Sequence, residues 1–219
     1  MKKRKAGILL VLVGAALLGA ALLGAALLLL FYNQREDQAA GEASEEGLAQ
    51  VQEAIRQAEA ARTPAPETLP AEDGSTPAPT ALPENMPEVM VDGYAYIGYV
   101  RIPSLELELP VLSDWDYEKL RIAPCRQFGS LYTEDLVIAA HNYDRHFGHL
   151  KELEPGAAAS FTDMAGNRME FVLAEIRILD PNDPVSEEDV SSSGHAMVLY
   201  TCTKGGQSRV VCFFDKVQA

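Results

Sequence analysis

The stretch Val198-Leu-Tyr-Thr-Cys-Thr-Lys-Gly-Gly-Gln-Ser-Arg-Val-Val211 predicts a β-hairpin near the end of the chain. Two adjacent glycines suit a two-residue loop, because both central positions of a type I′ turn need positive φ angles. Counting outward from Gly205-Gly206 places Cys202 opposite Arg209. Directly opposed residues share one face of a sheet, so the hairpin predicts a thiol beside a guanidinium. A nearby cation favours the thiolate, which is the nucleophilic form of cysteine.

The N-terminal region has the composition of a membrane-spanning helix. Residues 6–32 form a run of 27 residues without a charge, which is long enough to cross a bilayer. Residues 1–5 carry four positive charges, so we expect them in the cytoplasm and the chain after residue 32 outside the cell. Residues 6–32 then form an uncleaved signal-anchor in the membrane lipid. A cleaved signal peptide is the alternative, although its apolar region is usually only about 7–15 residues long.

Residues 33–88 are predicted to form an extracellular stalk. From Ser44 to Arg62 apolar residues recur at helical spacing, which favours a short, marginal helix beside the membrane over a partner-binding helix. Residues 63–87 hold seven of the thirteen prolines, and this composition indicates an extended, Pro-rich spacer. The formal net charge is −14 with no basic face, which argues against binding of nucleic acid.

Residues 89–219 are predicted to form one folded, mainly β domain. The apolar phase slips near Ala174-Glu175, which indicates a β-bulge. Helical patterns are short, near residues 116–120 and 147–153. Short strands with few helices indicate a closed or nearly closed β-barrel. The strand patterns alternate or are continuously apolar, and they cover residues 94–101, 105–109, 136–140, 169–178 and 196–216.

The chain has three cysteines, Cys125, Cys202 and Cys212, so at least one thiol is unpaired. On the hairpin register, Cys212 opposes Leu199 and points to the face opposite Cys202. This arrangement argues against a Cys202–Cys212 disulfide. A bridge between Cys125 and Cys212 stays open.

A thiolate nucleophile needs a proton-transfer partner, and histidine suits that role near neutral pH. His141 directly follows the apolar run 136–140, so the end of a strand is expected to hold it rigidly. His146, His149 and His195 lie in polar segments and are expected at the surface. A zinc site formed by the first three histidines and Asp144 is the metal-binding alternative.

These residues resemble the conserved segments of the sortase family. Ala139-Ala-His-Asn142, with the following Phe147-Gly-His-Leu150, is similar to the histidine segment of that family. Leu199-Tyr-Thr-Cys202 followed by Arg209-Val-Val211 is similar to its cysteine and arginine segments. The resemblance covers residues 94–217. The chain departs from the family where Val198 stands at the usual start of the Thr-Leu-x-Thr-Cys motif, and also in the short loop between Cys202 and Arg209.

The resemblance implies a closed eight-stranded β-barrel and a membrane-anchored cysteine transpeptidase of Gram-positive bacteria. Cys202 would attack a backbone carbonyl in an LPxTG-like sorting signal of a surface protein, and His141 would protonate the departing amine. Arg209 would stabilise the oxyanion and Thr201 would position the substrate. An amine of a peptidoglycan precursor would then accept the protein for attachment to the cell wall. No cofactor or metal is expected, and a need for calcium is left open.

Among sortases, the sequence favours a class B-like or class D-like protein over a pilin-polymerising class C enzyme. The reasons are that no lid-like segment is apparent before the barrel and no second apolar anchor after it. Two functional alternatives remain. One is a hydrolytic Cys-His endopeptidase on the same scaffold, and the other is a non-catalytic, anchored envelope module that contacts other proteins.

Overall fold

The computed structural model describes residues 2–62, 85–182, 185–186, 190, 192–203 and 205–218. It divides into two compact units, Met1–Ala39 and Ala40–Ala219. A single long helix, α1, runs over Lys2–Arg62, and so its two parts belong to different units. The helix predicted from Ser44 to Arg62 is therefore the end of a much longer element. The Pro-rich segment predicted at residues 63–87 lies mostly outside the described residues.

The first unit consists of the apolar part of α1. From Leu12 to Tyr32 its large apolar side chains are exposed, Leu28 by 71%. Within the described part of the chain, α1 is the one helix long and apolar enough to cross a membrane. Exposed leucines over this length suit a lipid environment better than water.

The second unit contains a closed β-barrel. The strands follow the order β1-β2-β3-β4-β5-β8-β9-β7-β6, and β6 also pairs with β2, which closes a ring of eight strands from β2 to β9. Strand β1 extends the sheet beyond β2. Most pairs are antiparallel, but β3–β4 and β5–β8 are parallel. The predicted closed eight-stranded barrel is confirmed. The strands are β1 Val89–Val91, β2 Tyr94–Ile102, β3 Leu107–Leu112, β4 Cys125–Phe128, β5 Leu136–Ala139, β6 Ala158–Asp163, β7 Arg168–Leu179, β8 Met197–Cys202 and β9 Arg209–Lys216.

The predicted local features of the strands agree with the structure. The β7–β9 ladder shifts register between Leu173 and Glu175, which confirms the predicted bulge. All helical segments described after α1 are short, and three of them are 3-10 turns at Pro103–Leu105, Lys119–Arg121 and Leu150–Glu152. Strand β5 is buried along its whole length, as its apolar run predicted.

Two layers of apolar side chains bury β5. Ile138 faces the barrel interior with Leu199 of β8 and Cys212 of β9. The alternate residues Val137 and Ala139 face outward and are covered by other clusters of apolar side chains. Because side chains alternate along a strand, both faces of β5 need apolar residues.

The end of α1 packs on the barrel. Val51 and Ile55 are buried in one apolar cluster with Tyr96 and Leu112. Gln52 donates a hydrogen bond of 2.6 Å to Glu108 at the same surface. The expectation of a marginal helix beside the membrane was wrong for this part of α1, because tertiary packing of its apolar stripe stabilises it.

Candidate active site

The hairpin that carries Cys202 has the predicted register. Strands β8 and β9 pair antiparallel, and Cys202 lies directly opposite Arg209. Gly205 and Gly206 have φ angles of 85° and 67°, both in the positive region that glycine tolerates. The Gly206 N–H donates to the Thr203 carbonyl over 2.8 Å, which differs from the bond of a two-residue turn centred on the two glycines. The Thr203 N–H donates to the Ser208 carbonyl over 2.8 Å and closes the base of the turn.

His141 lies on the other side of Cys202. Strands β5 and β8 run parallel, with Ala139 paired to Tyr200. The Ala140 N–H continues this ladder by donating to the Tyr200 carbonyl over 3.2 Å. Continued two residues past the end of β5, the same register places His141 beside Cys202, and neighbouring strands are about 4.8 Å apart. His141 just after β5, Cys202 at the end of β8 and Arg209 at the start of β9 therefore lie in a row. We call it the catalytic row, after the roles that the sequence predicts for these residues.

The catalytic row lies on the outer face of the barrel. Cys202 is exposed, whereas His141 and Arg209 are half-buried. Tyr200, two residues before Cys202 on the same face, has its ring centroid 6.0 Å from the Arg209 guanidinium carbon. Burial raises the pKa of Tyr200 to about 12, although the charge of Arg209 acts in the opposite direction. Tyr200 is thus a neutral phenol beside the cation at neutral pH.

Thr201 points the other way, into the barrel wall. Its side chain is buried, and its Oγ1 donates a hydrogen bond of 2.8 Å to the carbonyl of Ala140. The hydroxyl therefore ties the end of β8 to the residue that precedes His141. Adjacent residues of a strand face opposite sides, so Thr201 and Cys202 do not share a face.

The loop after β5 is held to its own backbone. The Phe147 N–H donates to the His141 carbonyl over 3.2 Å, and the Tyr143 carbonyl accepts from the N–H groups of His146 and Gly148. Phe147 is fully buried in the barrel core. The His141 ring lies 4.9 Å from the Tyr143 ring, between centroids. The hydrogen bonds and the burial of Phe147 fix the backbone that carries His141. We call residues 141–149 the histidine loop.

The remaining histidines divide into three environments. His149 is at the surface beside Glu152, as predicted. His146 is only 1% exposed, so its predicted surface position was wrong. His195 is largely buried, with its Nδ1 2.7 Å from Asp215. Among the described residues, no group of three or more His, Cys, Asp or Glu side chains could hold a metal ion, and the zinc alternative has no support there.

The other two cysteines differ from Cys202 in burial and in the pKa of their thiols. Cys125 and Cys212 are buried and free, so the disulfide left open by the sequence is absent. Cys212 opposes Leu199 on the inner face, as the hairpin register predicted. Burial raises the pKa of both thiols to about 12. Only a thiolate is a good nucleophile, so we expect these two buried thiols to be unreactive near neutral pH.

The profile of the sortase domain matches residues 100–217 of this chain. The chain belongs to the sortase family. Sortases are cysteine transpeptidases, and the matched region contains His141, Cys202 and Arg209. Comparison with curated protein sequences gives no match.

Solved sortases resemble the chain at low sequence identity. Sortase C1 from Streptococcus suis is 20% identical, with a TM-score of 0.47 over 57% of this chain and 74% of that chain. Sortase A from Corynebacterium diphtheriae is 17% identical, with a TM-score of 0.49 over 57% of this chain and 62% of that one. Sortase C1 from Streptococcus agalactiae is 19% identical, with a TM-score of 0.49 over 59% and 72%. These comparisons assign no subclass, and the expectation of a class B-like or class D-like protein rather than class C finds no support in them.

Proposed function

We propose that this sortase cleaves an LPxTG-like sorting signal through a thioacyl-enzyme on Cys202 and transfers the protein to an amine of a peptidoglycan precursor. The observation that carries the proposal is the catalytic row. It sets an exposed thiol of β8 between a histidine that follows β5 and an arginine of β9. The two flanking side chains are half-buried, so the strands hold them while the sulfur stays open to a peptide.

The reaction proceeds in two halves on the same sulfur. In the first half, the Cys202 thiolate forms a bond to the carbonyl carbon of the sorting signal. The peptide C–N bond then breaks, and protonated His141 gives its proton to the departing amine. In the second half, the acceptor amine attacks the thioester, His141 takes its proton, a new C–N bond forms and the thiolate departs. The chemistry uses only side chains of this chain and no cofactor.

Arg209 supplies the positive charge for the oxyanion that forms in each half. Its guanidinium is always charged and lies opposite the sulfur across one strand spacing. Preorganised donors of this kind contribute on the order of 10²–10³-fold to turnover. Thr201 then acts indirectly: its hydroxyl is bonded to the Ala140 carbonyl, and so it positions His141 rather than contacting the substrate.

The N-terminal helix suits the role of an anchor for this reaction. Its exposed apolar run would lie in membrane lipid, and the positive charges before it would stay in the cytoplasm. The barrel would then face the outside of the cell, where surface proteins and wall precursors of a Gram-positive bacterium meet. A sorting signal held near the membrane is a substrate that such an anchor brings within reach.

The test uses the full-length protein in detergent with a library of sorting-signal peptides and an added amine, analysed by mass spectrometry. We expect cleavage within one pentapeptide and incorporation of the amine at the new carboxyl end. Cys202→Ala should abolish both, whereas Cys212→Ala, which removes a buried thiol, should retain them. Cleavage that ignores added amine would indicate a hydrolytic endopeptidase instead. Equal activity of Cys202→Ala and the wild type would disprove the proposal.

A further inference from the structure

The part of helix α1 within the second unit, residues 40–62, which we call the end of α1, contacts the histidine loop through a buried hydrogen bond. Ser44 of the helix and His146 of the loop are each 1% exposed, and Ser44 Oγ lies 2.9 Å from His146 Nε2. Arg145, the preceding loop residue, pairs with Glu45 over 2.9 Å at the surface. At Gly41 a Cβ atom would overlap the Arg145 side chain, so this side chain lies directly against the helix. We call these four residues and Gly41 the helix–loop contact.

The direction of the buried hydrogen bond follows from its neighbours. Ser44 Oγ also lies 2.7 Å from the carbonyl oxygen of Ile122, which can only accept. The single proton of the hydroxyl therefore points to Ile122, and the oxygen accepts from His146. His146 must carry its proton on Nε2. Ser44 thus links α1 to two separate loops: it donates to the Ile122 carbonyl and accepts from His146 Nε2.

A short series of contacts connects His146 to His141. The His146 ring lies 5.5 Å from the Tyr143 ring, and the Tyr143 ring lies 4.9 Å from that of His141. The backbone N–H of His146 also donates to the Tyr143 carbonyl over 3.0 Å. A shift of His146 would therefore move Tyr143 and with it one side of the His141 ring.

The second loop bound by Ser44 also borders the catalytic row. Ile122 packs in the same apolar cluster as Ala139 and Tyr200, which lie just before His141 and Cys202. The Ser44 hydroxyl therefore binds the backbone of a residue, Ile122, whose apolar cluster includes side chains of both strands next to the catalytic row.

We propose that Ser44 and His146 are positioning residues for His141, so that the end of α1 is part of the catalytic apparatus. The inference rests on the proposed function, because it assigns His141 a role in proton transfer. Both side chains are buried, so neither can touch a peptide. Their loss should therefore lower the rate of the chemical steps and leave peptide binding largely intact.

The experiment compares three variants of the full-length protein in detergent. Ser44→Ala removes the acceptor of the buried bond. His146→Gln keeps an amide N–H near the position of Nε2, whereas His146→Leu keeps the bulk without a donor. Gln52→Ala is the matched control, because it breaks a different hydrogen bond between α1 and the barrel. Amine-dependent cleavage of sorting-signal peptides gives kcat and KM, and hydrogen–deuterium exchange reports on residues 141–149.

We expect Ser44→Ala and His146→Leu to lower kcat by about 10–100-fold with KM changed by less than about twofold, since small misplacement of a catalytic group has effects of this size. His146→Gln should recover most of the loss. The histidine loop should exchange faster in Ser44→Ala and not in Gln52→Ala. Unchanged kcat and exchange in Ser44→Ala would overturn the inference, as would a rise in KM alone or an equal loss in Gln52→Ala.

The exchange measurement separates this inference from the proposed function. If the wild-type protein cleaves no peptide, the proposed function fails. Faster exchange of residues 141–149 in Ser44→Ala alone would still support the helix–loop contact as the element that holds the loop. Activity in the wild type with no effect of Ser44→Ala would leave the proposed function standing and reject the positioning role.

Discussion

One of the three thiols of this chain is exposed and two are buried, and their reactivity should differ accordingly. Cys202 is exposed, whereas burial raises the pKa of Cys125 and Cys212 to about 12. At pH 8 only about one in 10⁴ of those buried thiols is ionised, and the fraction rises only as the pH approaches 12. We expect iodoacetamide at pH 8 to label Cys202 alone in the folded protein and all three cysteines in denaturant. Peptide mass mapping provides the measurement.

The matched controls for the labelling are Cys125→Ala and Cys212→Ala, which should leave native labelling unchanged. Cys202→Ala should remove it. Native labelling of Cys125 or Cys212 at a rate within tenfold of Cys202 would contradict the burial that separates them.

At the residue scale, local pairing could be predicted and distant contacts could not. The turn of two glycines sets the register of Cys202 and Arg209 within eight residues, so counting along the sequence was sufficient. His146 lies in a polar loop, yet it is buried by Ser44, which is 102 residues away. No local pattern marks that contact. The roles of His141, Cys202, Arg209 and Thr201 in the reaction stay predictions.

At the scale of elements, closure of the barrel depends on Gly98. This residue has a φ angle of 143° and lies at a register shift of β2, where β2 pairs with both β3 and β6. A Cβ atom at Gly98 would overlap the carbonyl oxygen of Thr162 in β6. Backbone atoms of a paired strand cannot move away without loss of hydrogen bonds, so a side chain here opposes closure.

We expect Gly98→Ala to lower the free energy of unfolding by about 3 kcal/mol or more, as other severe steric changes in a core do. Gly93→Ala is the control, because Gly93 has a φ angle of 85° with open space around it. The free energy of unfolding of that variant should fall by only about 1–2 kcal/mol, which is the cost of placing a Cβ atom in the left-handed region. Urea unfolding followed by circular dichroism measures both. A loss in Gly98→Ala no larger than in Gly93→Ala would show that the close approach to Thr162 is unimportant.

Other elements show why some strands could be predicted and others could not. The continuous apolar run of β5 and the phase slip in β7 are visible in the sequence because each face of those strands is consistently apolar or polar. Strand β6 was missed. Its buried residues include Ser160 and Thr162, so polar side chains stand where an apolar pattern would be expected. Strands β5 and β8 pair in parallel and complete the catalytic row. They are about 60 residues apart in the sequence, and no connecting turn predicts their pairing.

At the scale of the whole molecule, the compact unit that holds the site begins at Ala40, well before the first strand. The sequence suggested that residues 33–88 form a stalk, because a 25-residue Pro-rich segment separates the helix from the strands. The apolar stripe of α1 is thin, and only its packing against Tyr96 and Leu112 shows where it is buried. Met86, near the end of the proline-rich segment, also lies in the barrel core. Packing between distant segments therefore decides the extent of this unit.

The contribution of α1 can be measured by comparing fragments 40–219 and 63–219, which differ only in the helix. Burial of a large aliphatic side chain is worth about 1.5–3 kcal/mol, so loss of Val51 and Ile55 should destabilise the barrel by about 3–6 kcal/mol. We expect a midpoint of thermal unfolding about 10–20 °C lower for fragment 63–219. Val51→Asp in fragment 40–219 should lower the midpoint towards that of the shorter fragment. Ala60→Asp, which adds the same charge at an exposed position of the helix, should not. Equal midpoints for the two fragments would mean that the barrel is stable without α1, and its packed face would then need another explanation.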